Sequence, residues 1–315
     1  MNFIIMIHSE HKSTDGGTTC EFEMARRISN HGYETKVYYP YGTVVSGIYD
    51  KFATLEDVND DTVAIYCAHR YGNPLNAKRV VRWVAYGLDK CYYDSFGDQD
   101  IIYYHLPFCK NNLSTQSLFA CFLSPDVKNR NELRTLHSCY IVKKGIVYSK
   151  NKNRVNTNTF PHSELFQRKN KIPYTKVADT LCLDGYPITA SGYIDMFNKT
   201  KYFFCYDPCS FLVIIALLCG CIVIQDPVDG YTEEEWTYAT TGLRIKLNGF
   251  SYGIENIKYA KETISNAYGP CMQFVNRSDE SIKKFLYEME NKTYNLDKCY
   301  PYEESPVSLM FQHRS

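Results

Sequence analysis

The residues best suited to move a proton lie in one short polar segment near the start of the chain. Residues 8–17 read HSEHKSTDGG, and they offer imidazole and carboxylate groups at His8, Glu10, His11 and Asp15. A group that removes a proton from a hydroxyl needs a side chain of this kind within hydrogen-bond reach. We expect Asp15, beside Gly16 and Gly17, to be that base, with His11 as the next candidate. The alternative is an exposed loop without chemistry.

A second polar segment has the composition of an anion site. Residues 206–211, YDPCSF, separate an apolar strand from an apolar helix, and Ser210 is placed to cap that helix. The amide groups and the positive end of the dipole at a helix N-terminus attract phosphate. The alternative is a plain buried βαβ unit whose helix is capped and binds nothing.

Two histidines follow predicted strands. His69 comes after TVAIYC, residues 62–67, and His105 ends IIYYH, residues 101–105. Open parallel sheets bind ligands at the carboxyl ends of their strands. We therefore expect both side chains to contact an acceptor, with packing in the core or at an edge as the alternative.

The elements around these residues alternate between strand and helix. FIIMI at 3–7, a helix from Thr18 to Asn30 and ETKVYY at 34–39 make one βαβ unit with a parallel sheet. The same pattern predicts further strands at 62–67, 101–105 and 118–123, and a helix in which Ala77, Val80, Val81 and Val84 share a face. A second series contains strands at 138–142, 202–205 and 221–224 and helices near 191–198, 210–219, 255–267 and 279–290.

This repeated alternation in 315 residues predicts an α/β protein with two domains. We expect an N-terminal domain at 1–130, a C-terminal domain at 138–290 and a tail at 291–315, with the boundary near 128–137. Two Rossmann-like domains in series would face each other across a cleft at the carboxyl ends of their strands.

Composition argues against several classes of function. The 35 basic residues balance 35 acidic ones, so no charge excess favours nucleic acid, and we expect none as a partner. The 13 cysteines form no CxxC pair, which predicts reduced thiols in the cytoplasm. We expect no membrane span, although a peripheral membrane contact is compatible. Asp98-Gln99-Asp100 begins a strand and does not indicate a metal site, so we expect neither a metal nor a cofactor.

Several segments together resemble a family. They are the DGG loop with the helix EFEMARRISNHG, and GNPLNAKRVVRWV (72–84), SCYIVKKG (138–145), FFCYDPCSF (203–211), ALLCGCIVI (216–224), EEEW (233–236) and YGIENIKYAKET (252–263). In this order they resemble a bacterial-type, and also viral, group of glycosyltransferases with the GT-B fold. The resemblance implies metal-independent transfer of a sugar from a nucleotide-diphosphate donor to a hydroxyl of a glycan or other acceptor.

The resemblance also implies roles for single residues. Donor binding falls to the C-terminal domain, and acceptor binding near the glycine loop falls to Gly16 and Gly17. The donor residues are Lys143 and Lys144 at the diphosphate, Tyr206, Asp207 and Ser210 at the phosphates or sugar, and Glu235 at the ribose. Retaining enzymes of this fold carry two glutamates eight positions apart, where this chain has Asp207 and Ile215. That retaining mechanism is therefore not implied, and the sugar and stereochemistry stay open.

Two other functions compete with sugar transfer. A nicotinamide-dependent oxidoreductase or a sugar-nucleotide epimerase would need G-x-G-x-x-G in the first loop and an acid at the end of the second strand. The chain has Asp15-Gly16-Gly17 and Tyr38-Tyr39-Pro40 instead. A non-catalytic nucleotide-sugar-binding protein, or a degenerate glycosyltransferase-like protein, stays open because the residues alone do not fix the base.

Overall fold

The computed structural model describes residues 1–12, 15–42, 47–85, 90–109, 114, 116–141, 180–183, 189–228 and 230–292. Its strands are β1 Asn2–Met6, β2 Thr35–Tyr38, β3 Thr62–Cys67, β4 Arg79–Val84, β5 Ile101–Tyr104, β6 Leu136–Ile141, β7 Thr180–Cys182, β8 Thr200–Cys205, β9 Ile222–Gln225 and β10 Phe250–Tyr252. Its helices are α1 Gly16–Asn30, α2 Lys90–Tyr93, α3 Ala190–Lys199, α4 Leu212–Leu218, α5 Glu233–Thr241, α6 Ile257–Thr263 and α7 Tyr268–Glu290.

The strands form two parallel five-stranded sheets with the same internal order. The first runs β2-β1-β3-β4-β5 and the second runs β7-β6-β8-β9-β10. In each sheet the first strand of the series lies between the second and the third, so the strand order reverses beside it. The predicted α/β class with two Rossmann-like domains is confirmed.

The first sheet is covered by helices on one face and by loops on the other. Alternate residues of its strands, such as Phe3, Ile65 and Trp83, pack with α1 and with the C-terminal half of α7. Residues of opposite orientation, such as Ile4 and Tyr66, pack against the loops that follow β2 and β3. The strands read as continuous apolar runs because both faces are buried.

The second sheet packs α6 on one face, where Tyr202, Phe204 and Ile224 cluster with Ala260. On the other face the ring of Phe197 from α3 meets Phe203 of β8 at 5.0 Å, and α3 lies beside α4. Of the described helices, α7 is the longest with 23 residues, and neither it nor any other has the apolar stretch that a bilayer crossing requires.

The segment around residues 77–84 is a strand, and the predicted helix is wrong. Ala77, Val80, Val81 and Val84 fit helical spacing, but β4 pairs with β3 and β5, and Val80–Val84 are all buried. A run buried on both faces has no solvent side, so its periodicity does not separate strand from helix, whereas its β-branched and aromatic residues favour the strand.

The predicted strand at 118–123 is also absent. Only Ser117 makes an isolated parallel bridge, to Tyr104. The amide of Phe119 donates to Ser281 Oγ at 2.8 Å, and that of Cys121 donates to Ser278 Oγ at 3.2 Å. Hydroxyl groups of α7 thus take the hydrogen bonds that a neighbouring strand would have supplied.

The chain divides into two compact units, and the boundaries differ from those expected. Residues Met1–Phe122 form the first unit, and Leu123–Val275 form the second. From Asn276 the chain belongs to the first unit again, so residues 276–290 are not part of the C-terminal domain. The reason is burial, because Ile282 and Phe285 of α7 complete the first core.

Candidate functional site

The reversal of strand order in the first sheet brings three functional groups together. β1 ends at Met6, opposite Tyr66 of β3, so His8 and Cys67 emerge at the same carboxyl edge. The loop after β1 leads into α1, which places Glu21 over this edge. Ligands of open parallel sheets bind at such a reversal. We treat His8, Glu21 and Cys67 as the candidate site of the first unit.

These three side chains are close and largely shielded from solvent. His8 Nδ1 lies 3.0 Å from Glu21 Oε2, with 25% of the His8 side chain and 1% of the Glu21 side chain exposed. The backbone amide of His8 donates to the same oxygen at 3.2 Å. One ligand atom each from His8, Glu21 and Cys67 lies within 4.8 Å of the others. This group could hold a metal ion.

Burial and the mutual charges set the protonation of the site. Burial is the largest influence on the pKa of His8 and lowers it, but the hydrogen bond to Glu21 and the charges of Glu21 and Asp15 leave this pKa above its ordinary value. Burial raises the pKa of the Glu21 carboxyl group, and His8 opposes this rise only in part. Burial also raises the pKa of the Cys67 thiol to about 12.

The main chain of His8 is held by two further side chains. Arg70 Nη2 donates to the carbonyl oxygens of Ile7 and His8, both at 3.1 Å. The hydroxyl of Tyr41 donates to the His8 carbonyl at 2.6 Å. These contacts define where β1 ends, and Glu21 then defines where the imidazole ring lies.

Asp15 is the N-cap of α1. Its Oδ1 accepts the amide of Gly17 at 2.9 Å, and its Oδ2 accepts the hydroxyl of Ser9 at 3.2 Å. Gly16 is exposed, whereas a Cβ added at Gly17 would lie 3.0 Å from Cε1 of His8. The glycine loop thus lets the His8 ring approach the start of the helix, which is a local role. The base and acceptor roles of Asp15, Gly16 and Gly17 stay predictions.

The other predicted histidines make aromatic contacts. The His11 ring meets Phe22 edge-on at 5.4 Å. His105 stacks on Phe119 at 5.0 Å, in line with the packing alternative. His69 lies nearer the candidate site, with Nδ1 3.7 Å from Cys67 Sγ. His69 thus contacts a residue of the candidate site, Cys67.

The corresponding edge of the second sheet carries Tyr206 and Asp207, which follow β8. They are 7% and 2% exposed, so neither is a surface loop residue. Asp207 Oδ1 accepts the amide of Cys209 at 3.0 Å, and the carbonyl oxygen of Asp207 accepts Gln225 Nε2 at 3.2 Å. Asp207 and Pro208 thus begin a turn that the Asp207 side chain closes. This leaves the donor roles of Tyr206 and Asp207 as predictions.

Two of the other residues predicted to bind the nucleotide-sugar donor make hydrogen bonds at the starts of helices. Ser210 Oγ accepts the amide of Leu212, the first residue of the seven-residue helix α4, at 3.3 Å. Glu235 forms a capping box with Thr232, whose amide donates to Glu235 Oε2 at 2.8 Å. Lys143 and Lys144 lie outside the described residues.

Sequence reasoning named His8 but missed Glu21 and Cys67. A charged residue in an amphipathic helix is ordinarily placed on its solvent face, yet Glu21 is buried. One signal could have found it, because Glu21 lies three residues after Thr18 and four before Ala25, which both face the core. Cys67 ends an apolar strand, and there it does not differ from an ordinary buried thiol.

Comparison with known proteins found structural similarity only. No protein family model matches the chain, and no curated protein does. A glycosyltransferase from Rickettsia africae is 12% identical, covers 94% of this chain and 95% of its own, and has a TM-score of 0.45. An α-glucosyltransferase in complex with UDP and a 13-mer DNA containing an HMU base is 13% identical, with 99% and 98% covered and a TM-score of 0.45. T4 phage BGT in complex with UDP-glucose is 10% identical, with 92% and 96% covered and a TM-score of 0.43.

These similar structures are glycosyltransferases, and at such low identity and TM-score they assign no activity to this chain. They do correct one expectation. Nucleic acid was excluded as a partner on net charge, and that exclusion is wrong, because the α-glucosyltransferase was solved with DNA. Net charge is a sum over the whole chain and does not describe a local surface. T4 phage BGT was also solved with UDP and Mn²⁺.

Proposed function

We propose that the protein transfers a hexosyl or pentosyl group from a nucleotide-diphosphate donor to a hydroxyl group, with His8 as the base. The pair of His8 and Glu21 at the strand-order reversal of the first sheet carries this proposal. Nδ1 of His8 faces the Glu21 carboxylate at 3.0 Å, which leaves Nε2 to take a proton from an acceptor. A base whose other ring nitrogen is held by a carboxylate is the arrangement that general-base catalysis needs.

The geometry favours His8 over the bases expected first. Both carboxylate oxygens of Asp15 already accept hydrogen bonds, and one of them caps α1. The His11 ring packs edge-on against Phe22 at 5.4 Å. Asp15 and His11 remain testable candidates because they share the loop with His8.

We propose that the second unit binds the donor at the carboxyl edge of its sheet. Asp207 follows β8 directly and is buried there, where an acid can accept hydroxyl hydrogen bonds from a sugar. The donor also contacts three further residues that the resemblance implies, Tyr206, Ser210 and Glu235. The charge of the diphosphate is neutralised by Lys143 and Lys144. On this proposal the leaving group needs no metal, because lysine and backbone amides supply the positive charge.

Ligand-dependent stability tests donor binding. A nucleoside diphosphate or its sugar should raise the melting temperature without added Mg²⁺, because it binds only the folded protein. UDP, GDP, dTDP and CMP donors are compared with NAD. A shift with NAD alone would instead support an epimerase or oxidoreductase.

Turnover separates an enzyme from a binding module. Labelled donor is incubated with glycan acceptors and with hydroxymethylated DNA, the second because a protein of similar fold was solved with DNA. Sugar transfer or donor hydrolysis supports the enzyme. Donor binding without either supports a non-catalytic or degenerate protein.

Single variants test the base. His8→Asn should lower turnover by about a hundredfold or more, the usual contribution of a general base, while donor binding persists. Asp15→Asn is the matched control, because asparagine caps a helix as well as aspartate does but carries no charge. Equal losses in the two variants would contradict the choice of His8, and a larger loss in Asp15→Asn would return the base to Asp15. Lys143→Ala should weaken donor binding more than either.

A further inference from the structure

We propose that His8, Glu21 and Cys67 form a binding site for Zn²⁺ in the first unit, with one coordination position left open. One potential ligand atom from each residue lies within 4.8 Å of the other two. Imidazole nitrogen, carboxylate oxygen and thiolate sulfur are the three ligand types of protein-bound zinc, and three protein ligands with an open fourth position are typical of reactive zinc sites.

The dimensions and charges of the cluster suit this ion. Zinc–ligand distances of about 2.0–2.3 Å bring ligand atoms to within about 4 Å of one another, so small side-chain rotations close the site. Glu21 and a Cys67 thiolate together carry two negative charges, which neutralise Zn²⁺. The positive charge of Arg70, which donates a hydrogen bond to the carbonyl of His8, disfavours a cation nearby. Its guanidinium group is held by main-chain oxygens, outside the ligand set.

One buried oxygen of the cluster lacks a hydrogen-bond partner among the described residues. Glu21 Oε1 is buried and accepts no hydrogen bond from the described residues. A buried carboxylate oxygen without a partner is costly, and a metal ion would satisfy it. His69 Nδ1, 3.7 Å from Cys67 Sγ, is placed to orient the sulfur. Such a partner next to a ligand is a regular feature of metal sites.

Metal binding replaces protons at this site. Zn²⁺ forms bonds to nitrogen, oxygen and sulfur, the thiol proton of Cys67 leaves to solvent, and the imidazole proton of His8 moves to the ring nitrogen that does not bind the metal. His8 then carries its remaining ring proton on the other nitrogen and cannot act as a base. All three ligands belong to the first unit, whereas the donor diphosphate is proposed to bind to the second unit.

Cobalt absorption tests the site without reference to activity. The full chain is freed of metal by chelation and titrated with Co²⁺, which replaces zinc and reports thiolate ligands through a charge-transfer band in the near ultraviolet. We expect a saturable band at one equivalent that Zn²⁺ abolishes. Cys67→Ser should lose the band, and Glu21→Gln should weaken binding at least about tenfold.

Cys91→Ser is the matched control, because Cys91 is an exposed free thiol on a different element and its loss should leave the band unchanged. Circular dichroism confirms that each variant is folded, and His8→Asn, at a partly exposed position, replaces Cys67→Ser if the latter unfolds. A band that survives in Cys67→Ser, or no band in the wild type, would overturn the proposal. Sugar transfer by the metal-free protein, with no cobalt band on titration, would refute the metal site alone. A cobalt band from a protein whose metal-free form transfers no sugar would refute the proposed function alone.

Discussion

At the scale of single residues, the buried pair of Arg82 and Asp100 supports the loop behind the candidate site. Arg82 Nε lies 2.6 Å from Asp100 Oδ2, and the two side chains are 1% and 4% exposed. The guanidinium group also donates to the carbonyls of Arg70 and Gly72 at 3.0 and 2.6 Å. Arg82 thus fixes the loop after β3, from which Arg70 reaches the carbonyl of His8.

Removal of one charge of this pair should therefore destabilise the protein strongly. Asp100→Ala leaves Arg82 buried without a counter-ion, and we expect a loss of about 3–5 kcal/mol in the free energy of unfolding, measured in urea. Asp61→Ala is the control, because Asp61 is 72% exposed and lies 3.6 Å from Arg79, so its loss should stay below about 1 kcal/mol. Similar losses of unfolding free energy in the two variants would show that the buried pair stabilises the protein no more than the exposed one.

At the scale of elements, Arg134 joins the C-terminal ends of two helices in the second unit. Its Nη1 donates to the carbonyls of Phe197 and Asn198 in α3 at 2.6 and 2.7 Å. Its Nη2 donates to the carbonyl of Cys219, just after α4, at 2.8 Å. Helix ends leave such carbonyls without partners in the helix itself. Gly220, at φ +82, makes room, because a Cβ there would lie 2.5 Å from Arg134 Nη2.

Arg134→Met should therefore loosen both helix ends. It keeps the apolar stem but removes every donor, and we expect a loss of at least about 2 kcal/mol in unfolding free energy, since carbonyls bonded to a charged group lose their partner. Arg130→Met is the control, because its pair with Asp195 is open to solvent and should contribute much less than the Arg134 hydrogen bonds. Chemical denaturation compares the two. An equal loss would contradict the role of Arg134.

At the scale of the whole molecule, α7 contributes residues to both units. Its first residues belong to the second unit, and from Asn276 it belongs to the first. The buried ring of Phe285 packs 5.9 Å from Phe3 of β1 and 5.2 Å from Tyr103 of β5. The first sheet is thus completed by a segment from far along the chain.

Phe285→Ala should destabilise the first unit selectively. We expect a loss of about 3–5 kcal/mol, as for other buried phenylalanines, from lost burial and a residual cavity. Hydrogen exchange followed by mass spectrometry should show lost protection in β1 to β5 and retained protection in β6 to β10. Tyr287→Ala on the same helix is 68% exposed and should change neither sheet. A uniform loss of hydrogen-exchange protection over both sheets would contradict selective destabilisation of the first unit.

The residue pattern alone determined the alternation of strand and helix, the parallel sheets and the division into two α/β domains. Continuous apolar runs such as residues 3–7 and 202–205 predict strands buried on both faces, and helical segments between them demand parallel crossovers. The same pattern failed at residues 77–84, because spacing in a fully buried run fits strand and helix equally well. It also failed at residues 118–123, where hydroxyl groups of α7 replace a neighbouring strand.

Only the tertiary structure decided which polar residues form a site. His8, Glu21 and Cys67 come from a loop, a helix and a strand end, and they meet because β1 and β3 are neighbours in the sheet. Strand order depends on packing between segments distant in sequence, which local propensity does not encode. For the same reason residues 276–290 belong to the first unit, whereas the role of Asp15 as the cap of α1 rests on a local contact with Gly17.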